Sequence, residues 1–247
     1  LGGIWGTSVM HGKSAFVTGG SSGIGLAAAV QLAQSHASVA LFARDPRRLA
    51  AAARAIEWVV PACRVLCCPV DVADRIALEH AISRAVAEIG PPDRLVTSAG
   101  MVDLGEVEQI TADTHQRIMQ VNYFGTLWTI RAVLPHLTEG ARIGIVGSAA
   151  GIIGVTGYAA YAPSKFALRG LADILRVELG LRGIGVTLCL PPDTETPMLD
   201  WERGHRNPVT AQMAAGARVM TAPAVARALL RGMEQDHALV LPNLMVR

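Results

Sequence analysis

Short apolar runs alternate with amphipathic stretches along most of this 247-residue chain. The apolar runs are a few residues long and are bounded by glycine, proline or polar residues, which is typical of buried parallel strands. They lie near residues 15–18, 38–43, 64–70, 94–98, 142–147, 184–190 and 238–241. The stretches between them show helical patterning, near residues 23–35, 46–58, 74–89, 112–138, 157–181 and 222–235.

This alternation predicts an α/β fold, a Rossmann-type doubly wound parallel sheet of about seven strands with helices on both faces. No linker is long enough to separate domains, so we expect residues 1–247 to form a single domain. The one long irregular stretch, about 191–221, is expected to be a loop over the substrate. Residues suited to helix starts are Asp45-Pro46, Asp74, Pro163 and Pro223.

Composition narrows the class of protein. The net charge is only +2, with no long basic run, so a nucleic-acid surface is not expected. No apolar run reaches the length of a membrane span, and Leu1 to Lys13 does not resemble a signal peptide. The four cysteines lack a Cys-x-x-Cys pair, and the seven histidines show no ligand spacing, so we expect buried thiols and no metal. These features favour a cytoplasmic protein, with peripheral membrane contact left open.

A turn rich in glycine and serine separates the first predicted strand from the first helix. Glycine lets a backbone fold tightly against a pyrophosphate, and the N-terminus of a helix offers N–H groups to phosphate charge. The residues concerned are Gly19, Ser21, Ser22, Gly23, Ile24 and Gly25. Taken alone, an ordinary strand-to-helix turn remains an alternative.

Tyr161 and Lys165 stand four residues apart on a predicted helix, so the phenol and the ammonium can share one face. A nearby cation favours the phenolate and lowers the phenol pKa. Ser148, thirteen residues earlier at the end of a strand, could hold a carbonyl oxygen. A Tyr-x-x-x-Lys pair alone is common on surface helices, but the three residues together indicate a carbonyl-reducing site.

With these motifs in this order, the chain resembles the short-chain dehydrogenase/reductase family over about residues 12 to 197. The motifs are Thr18-Gly19-x-x-x-Gly23-Ile24-Gly25, Asp71-Val72, Ala99-Gly100, Asn122, and Ser148 with Tyr161 and Lys165. The family has asparagine where Ser98 stands, which questions local sheet bonding more than catalysis. Its usual Pro-Gly after the sixth strand is Pro191-Pro192 here.

The resemblance implies four catalytic residues. Tyr161 would exchange a proton with the substrate oxygen, and Lys165 would hold the nicotinamide ribose and lower the phenol pKa. Ser148 would donate a hydrogen bond to the carbonyl oxygen. Asn122 would help position a water that connects Lys165 to solvent; the alternative is a helix-interior residue whose side chain bonds the backbone.

The cofactor contacts are expected along the same motifs. Asp71 would accept from the adenine amino group beside Val72, with Ala99 and Gly100 following the fourth strand. Pro191, Thr194 and Thr196 would lie near the nicotinamide amide or the pyrophosphate.

The second strand bears on the choice of nucleotide. It ends in Ala43-Arg44, where NAD-binding folds usually carry an acid for the ribose hydroxyl. Arg44, helped by Arg48, could grip a 2′-phosphate, which favours NADP(H). Arg47 fits better as a solvated residue at a helix start.

The segment Pro191 to Pro197 is similar to that of 3-ketodihydrosphingosine reductases, a subgroup of the family. This similarity implies NADPH-dependent reduction of the ketone of a long-chain lipid to a secondary alcohol, in sphingolipid biosynthesis. Apolar residues in or beside the loop could line an acyl groove or pack as a lid against the core. They are Met198, Leu199, Trp201, Val209, Met213, Val219 and Met220.

Several alternatives stay open at this point. The substrate could be another keto lipid, a steroid or a 3-oxoacyl thioester. The chain could instead be a non-catalytic NADP-binding sensor or scaffold, although Ser148, Tyr161 and Lys165 are all present. The resemblance also implies a homodimer or homotetramer that pairs through the helices near 112–138 and 157–181.

Overall fold

Seven parallel strands form the central sheet of the computed structural model, which describes residues 14–35, 38–216 and 218–245. Their order is β3-β2-β1-β4-β5-β6-β9. The strands are β1 (Ser14–Thr18), β2 (Ser38–Ala43), β3 (Val65–Pro69), β4 (Pro92–Thr97), β5 (Arg142–Val146), β6 (Gly185–Cys189) and β9 (Leu239–Val240). The predicted doubly wound parallel sheet is therefore confirmed.

Helices connect these strands. They are α1 (Gly23–Gln34), α2 (Pro46–Val59), α3 (Arg75–Ile89), α4 (Ala112–Met119), α5 (Gly125–Val133), α6 (Tyr161–Gly180), α7 (Pro197–Arg203), α8 (Pro208–Ala215), α9 (Ala222–Glu234) and α10 (Pro242–Met245). A π turn, Gln120–Phe124, interrupts the long helix expected over 112–138. The stretch expected to be irregular contains α7, α8 and a two-stranded parallel sheet, β7 (Thr194–Glu195) with β8 (Met220–Thr221).

Both faces of the large sheet are buried under helices. Side chains alternate along each strand, so Phe16 and Leu95 pack on the side of α3, α5 and α6. Val17 and Val96, their neighbours in sequence, pack on the side of α1, α2 and α9. Because neither face is open to solvent, the strands read as continuous apolar runs.

Helix starts agree in part with the sequence. Asp45 and Asp74 accept hydrogen bonds from the first turns of α2 and α3, as N-cap residues do. Helix α6 begins at Tyr161, four residues later than expected, and Pro163 lies in its first turn. Proline is tolerated there because a first-turn N–H has no partner inside the helix. Tyr161 thus opens α6, with Lys165 one turn further on.

Gly232, in the last turn of α9, provides a test of packing against β9. A Cβ at Gly232 would lie 2.2 Å from Cγ2 of the buried Val240, whose branched side chain has little rotamer freedom. We expect Gly232→Ala to lower the free energy of unfolding by about 1–2 kcal/mol, because overpacking outweighs the gain of about 1 kcal/mol in helix propensity. Urea unfolding measures the change. Arg227→Ala, at an exposed position of the same helix, should stay within about 0.5 kcal/mol of the starting protein; equal stability of both variants would contradict this packing.

Candidate active site

A cleft of about 480 Å³ opens at the carboxyl ends of the strands, where the strand order reverses between β1 and β4. The expected site residues that line it are Gly19, Ser21, Ser22, Gly23, Ile24, Arg44, Arg48, Asp71, Val72, Ala99, Gly100, Ser148, Tyr161, Lys165, Pro191, Thr194 and Thr196. Gly25 and Asn122, the other two, are buried beside it. The fold therefore gathers motifs that are far apart in sequence.

The glycine turn is shaped in a way that side chains would prevent. Gly19 and Gly23 have φ of +67° and +56°, the left-handed region that favours glycine. A Cβ at Gly25 would come within 2.4 Å of the Gly19 carbonyl oxygen, so α1 could not approach β1 this closely. The Ser22 side chain does not cap α1, and the first turn of α1 carries no acidic residue. This cradle fits the pyrophosphate of a dinucleotide.

At one end of the cleft, the tip of β2 carries positive charge. Arg44 and Arg48 are exposed and line the cleft, whereas Arg47 is not among the lining residues. Asp71 accepts hydrogen bonds from the N–H of Ala73 (2.9 Å) and from Arg117 (2.7 Å). Burial opposes ionisation of Asp71, but these hydrogen bonds and the charges of Arg117 and Arg44 lower its pKa.

Although Ser98 stands where the family has asparagine, the end of β4 is still hydrogen-bonded to the neighbouring strand β1. The Thr18 hydroxyl, on β1, accepts from the N–H groups of Ser98 (3.3 Å) and Ala99 (3.4 Å). A Cβ at Gly19 would lie 2.7 Å from both residues. A threonine and a glycine on the neighbouring strand thus fix the backbone that precedes Gly100.

Ser148, Tyr161 and Lys165 meet at the end of the cleft away from β2, called the catalytic end below. Ser148 follows β5, and its hydroxyl is hydrogen-bonded to the Tyr161 phenol. The Lys165 Nζ lies 5.5 Å from the centroid of the Tyr161 ring and donates to the carbonyl of Val146 (3.2 Å). Tyr161 and Lys165 are almost fully buried, while Ser148 is partly exposed.

The Tyr161 pKa is raised in this arrangement of protein groups, not lowered as expected from the charge of Lys165. Burial raises the phenol pKa, the charge of Glu202 raises it further, and the hydrogen bond with Ser148 only partly opposes them. Burial also lowers the Lys165 pKa to about 8. Desolvation dominates for both groups, so the phenol is held in its protonated form.

Asn122 does not face the cleft. In the π turn its side chain is fully buried, accepts from the N–H of Met101 (2.8 Å), and donates to the Met101 carbonyl (3.0 Å) and the Ser164 hydroxyl (2.9 Å). The sequence left open that Asn122 is a helix-interior residue whose side chain bonds the backbone, and these contacts are of that kind. They join the loop after β4 to α6, and the proposed part in positioning a water stays a prediction.

The segment after β6 covers the catalytic end of the cleft. Pro191 accepts from the N–H of Ala149 (2.9 Å), and a Cβ at Gly23 would lie 3.0 Å from the Thr196 methyl group. The segment thus contacts both the glycine turn and the residue after Ser148.

Only part of the expected acyl groove is present. Met198 and Leu199 line the cleft, but Trp201, Val209 and Val219 are not among its lining residues. Met220 packs in the core beneath α9. The side chain of Met213 lies outside the described part of the structure.

Sequence reasoning missed a polar network at this end. Tyr158 donates to Glu202, and Arg206 forms two hydrogen bonds with Asp193, of 2.7 and 2.8 Å. Arg206 also donates to Glu202 (3.2 Å) and to the Tyr158 hydroxyl (3.1 Å). All four residues line the cleft. No catalytic motif marks them, and three lie in the stretch expected to be irregular.

The doubly wound sheet and its glycine turn define a dinucleotide-binding fold of the Rossmann type. The chain belongs to the short chain dehydrogenase family, whose model matches residues 13–207.

Among curated relatives, a 3-dehydrosphinganine reductase of Danio rerio is 42% identical over 193 residues, and a 3-ketodihydrosphingosine reductase of Bos taurus is 40% identical over the same length. Each alignment covers 76% of this chain and 58% of the relative. The chain therefore spans less than two thirds of the length of these relatives.

Two solved structures are similar over nearly the whole chain. A dehydrogenase/reductase from Sinorhizobium meliloti is 33% identical with a TM-score of 0.83, covering 95% of both chains. A short chain dehydrogenase from Burkholderia cenocepacia, in complex with NADP, is 31% identical with a TM-score of 0.82, covering 95% of this chain and 97% of that one. Within residues 14–35, 38–216 and 218–245, no helix is long and apolar enough to cross a membrane.

The buried ammonium of Lys165 should reduce stability in a pH-dependent way. Its pKa of about 8 lies below its ordinary value of 10.5, so unfolding is favoured while the lysine is charged. We expect Lys165→Met to raise the free energy of unfolding at pH 7 by roughly 1–3 kcal/mol. The gain should shrink as pH rises from about 8 to 10.5, since the folded protein then no longer carries the charge.

Urea unfolding of both proteins at pH 7 and pH 10 measures this difference. Arg227→Met removes an exposed cation and should show no such pH dependence. A Lys165→Met variant that is less stable than the starting protein at pH 7 would contradict the cost assigned to the buried charge.

Proposed function

We propose that this protein is an NADP(H)-dependent oxidoreductase that reduces the ketone of a long-chain lipid, 3-ketodihydrosphingosine, to a secondary alcohol. The observation that carries the proposal is the meeting of Ser148, Tyr161 and Lys165 in the cleft that begins at the glycine turn. The choice of substrate is supported by the relatives named as 3-dehydrosphinganine and 3-ketodihydrosphingosine reductases.

The residues present fit a dinucleotide. The glycine turn would hold the pyrophosphate, Arg44 and Arg48 a 2′-phosphate, and Asp71 the adenine, with Val72, Ala99 and Gly100 beside it. Pro191, Thr194 and Thr196 would lie near the nicotinamide, which when bound supplies a hydride to the carbonyl carbon. The NADP complex of the Burkholderia cenocepacia protein supports this choice of nucleotide.

The side chains at the catalytic end suit reduction. Ser148 would hold the carbonyl oxygen, and Tyr161 would donate the proton that the developing alkoxide requires. A phenol whose pKa is raised is fully protonated at neutral pH, as a proton donor must be. After the proton leaves, the nearby Lys165 ammonium would stabilise the phenolate.

The test is consumption of NADPH with a panel of ketones. We expect turnover with 3-ketodihydrosphingosine and slower turnover with steroid ketones and 3-oxoacyl thioesters. NADH should be the poorer donor, because Ala43 offers no carboxylate to the ribose hydroxyl. Absence of turnover with every ketone would favour a non-catalytic NADP-binding sensor or scaffold, and a preference for NADH would contradict the part given to Arg44.

Two variants serve as controls for that panel. Tyr161→Phe should still bind NADPH, as measured by cofactor fluorescence, while kcat falls at least about 100-fold through loss of the proton donor.

Arg44→Ala should raise the KM for NADPH by about tenfold and leave that for NADH nearly unchanged, because only NADPH carries the 2′-phosphate.

We also propose that copies of this chain pair through the outer face of α6. Phe166, Ile174 and Val177 are apolar, exposed and spaced to share one side of this helix, and the exposed Leu181 follows directly after it. Light scattering should give a mass of at least twice 26.0 kDa, and Val177→Lys should lower it. A single-chain mass for the unaltered protein would contradict the pairing.

A further inference from the structure

The catalytic end of the cleft carries a carboxylate that the reduction of a ketone does not require. Glu202, on α7, has only 8% of its surface exposed and lines the cleft. It accepts a hydrogen bond from Tyr158, whose ring centroid lies 5.7 Å from that of Tyr161. Glu202 is thus one hydrogen bond and one ring contact away from the proposed proton donor.

The nearby guanidinium of Arg206 is bound more strongly by Asp193 than by Glu202. Arg206 gives Asp193 two short parallel hydrogen bonds, the stronger geometry for a guanidinium and a carboxylate. Glu202 receives a single, longer one of 3.2 Å. Lys165, the other cation at this end, donates to the Val146 carbonyl instead. Two carboxylates thus share one guanidinium, and Glu202 receives the weaker part of it.

The two oxygens of Glu202 differ in their contacts. Both hydrogen bonds, from Tyr158 and Arg206, go to Oε2. Within the described part of the chain, Oε1 accepts no hydrogen bond. It is not fully enclosed by protein atoms either. An accessible oxygen on a carboxylate that is nine-tenths buried is suited to a ligand that donates a charged hydrogen bond.

We propose that Glu202 is a specificity-determining residue that binds the ammonium group of a long-chain amino ketone and selects it over neutral ketones. This inference rests on the proposed function, since it names the substrate class of the same cleft. In 3-ketodihydrosphingosine the amino group is on the carbon next to the ketone. A ketone held by Ser148 and Tyr161 would therefore bring the ammonium group near the pair formed by Tyr158 and Glu202.

The electrostatics of Tyr161 support this pairing. After burial, the charge of Glu202 contributes most to raising the phenol pKa. A cation bound to Glu202 would offset that charge, and the phenol would release its proton more readily when such a substrate is present. A neutral ketone would leave the charge of Glu202 uncompensated.

The experiment compares two ketones of equal chain length, 3-ketodihydrosphingosine and its N-acetyl derivative, which has no positive charge. The unaltered protein should have a kcat/KM at least about tenfold higher for the amine. Glu202→Gln keeps the size of the side chain and an acceptor for Tyr158. It should lower kcat/KM for the amine by about tenfold or more, and leave that for the acetylated ketone equal or raise it, because the uncompensated charge near Tyr161 is gone. Asp200→Asn, at an exposed position of α7, should change neither.

The outcomes separate this inference from the proposed function. Equal losses for both ketones in Glu202→Gln would assign Glu202 to holding the segment closed and would overturn the inference alone. Equal use of both ketones by the unaltered protein would also overturn it and leave ketone reduction standing. Reduction of neither ketone would overturn both proposals.

If Glu202→Gln fails to fold, the inference can still be tested by measuring inhibition of the unaltered protein. Dihydrosphingosine should inhibit at least about tenfold more strongly than its N-acetyl derivative. Equal inhibition by the two compounds would overturn the inference.

Discussion

The burial of both faces of one parallel sheet is the constraint on which the rest of this structure depends. Helices cover each face, so functional side chains can be presented only where the strands end. The order of the strands reverses between β1 and β4, and the connections that leave these strands diverge to opposite sides. The crevice between them is where the glycine turn, Ser148 and the start of α6 converge.

The close approach of backbone to backbone at this edge depends on glycine. Gly19 lies against Ser98 and Ala99 with no room for a side chain, and Gly25 lies even closer to Gly19. These contacts place the N-terminus of α1 at the floor of the cleft. A turn that looks like simple flexibility in the sequence is therefore a packing requirement that links β1, β4 and α1.

Local patterns predicted the parts of the site that local geometry determines. The four-residue spacing of Tyr161 and Lys165 places them on one face of α6, and the position of Ser148 after a strand brings it to the same edge. The strands were predicted because their burial on both faces makes them uniformly apolar. Neither inference required knowledge of distant contacts.

Local sequence patterns could not predict the effects of desolvation or of long-range contacts. The spacing of Tyr161 and Lys165 suggested a lowered phenol pKa, but burial, which depends on the whole fold, reverses the direction. Tyr158 and Glu202 are 44 residues apart, and Glu202 lies in a stretch with no clear period. Met220 could have lined an acyl groove or packed against the core on the sequence alone, and the pairing of β8 with β7 places it in the core.

The charged side chains that line the cleft are arranged differently at its two ends. Neither Arg44 nor Arg48 forms an ion pair within residues 14–35, 38–216 and 218–245, whereas Asp71 is paired with Arg117. At the other end, Asp193 and Glu202 share Arg206. A cleft with low-dielectric walls concentrates such fields, so an anionic nucleotide and a cationic amphiphile would be drawn to opposite ends. Under the proposed function the two ligands would then meet near Tyr161, because the reversed arrangement would place the amine beside Arg44 and Arg48 and the phosphates beside Asp193 and Glu202.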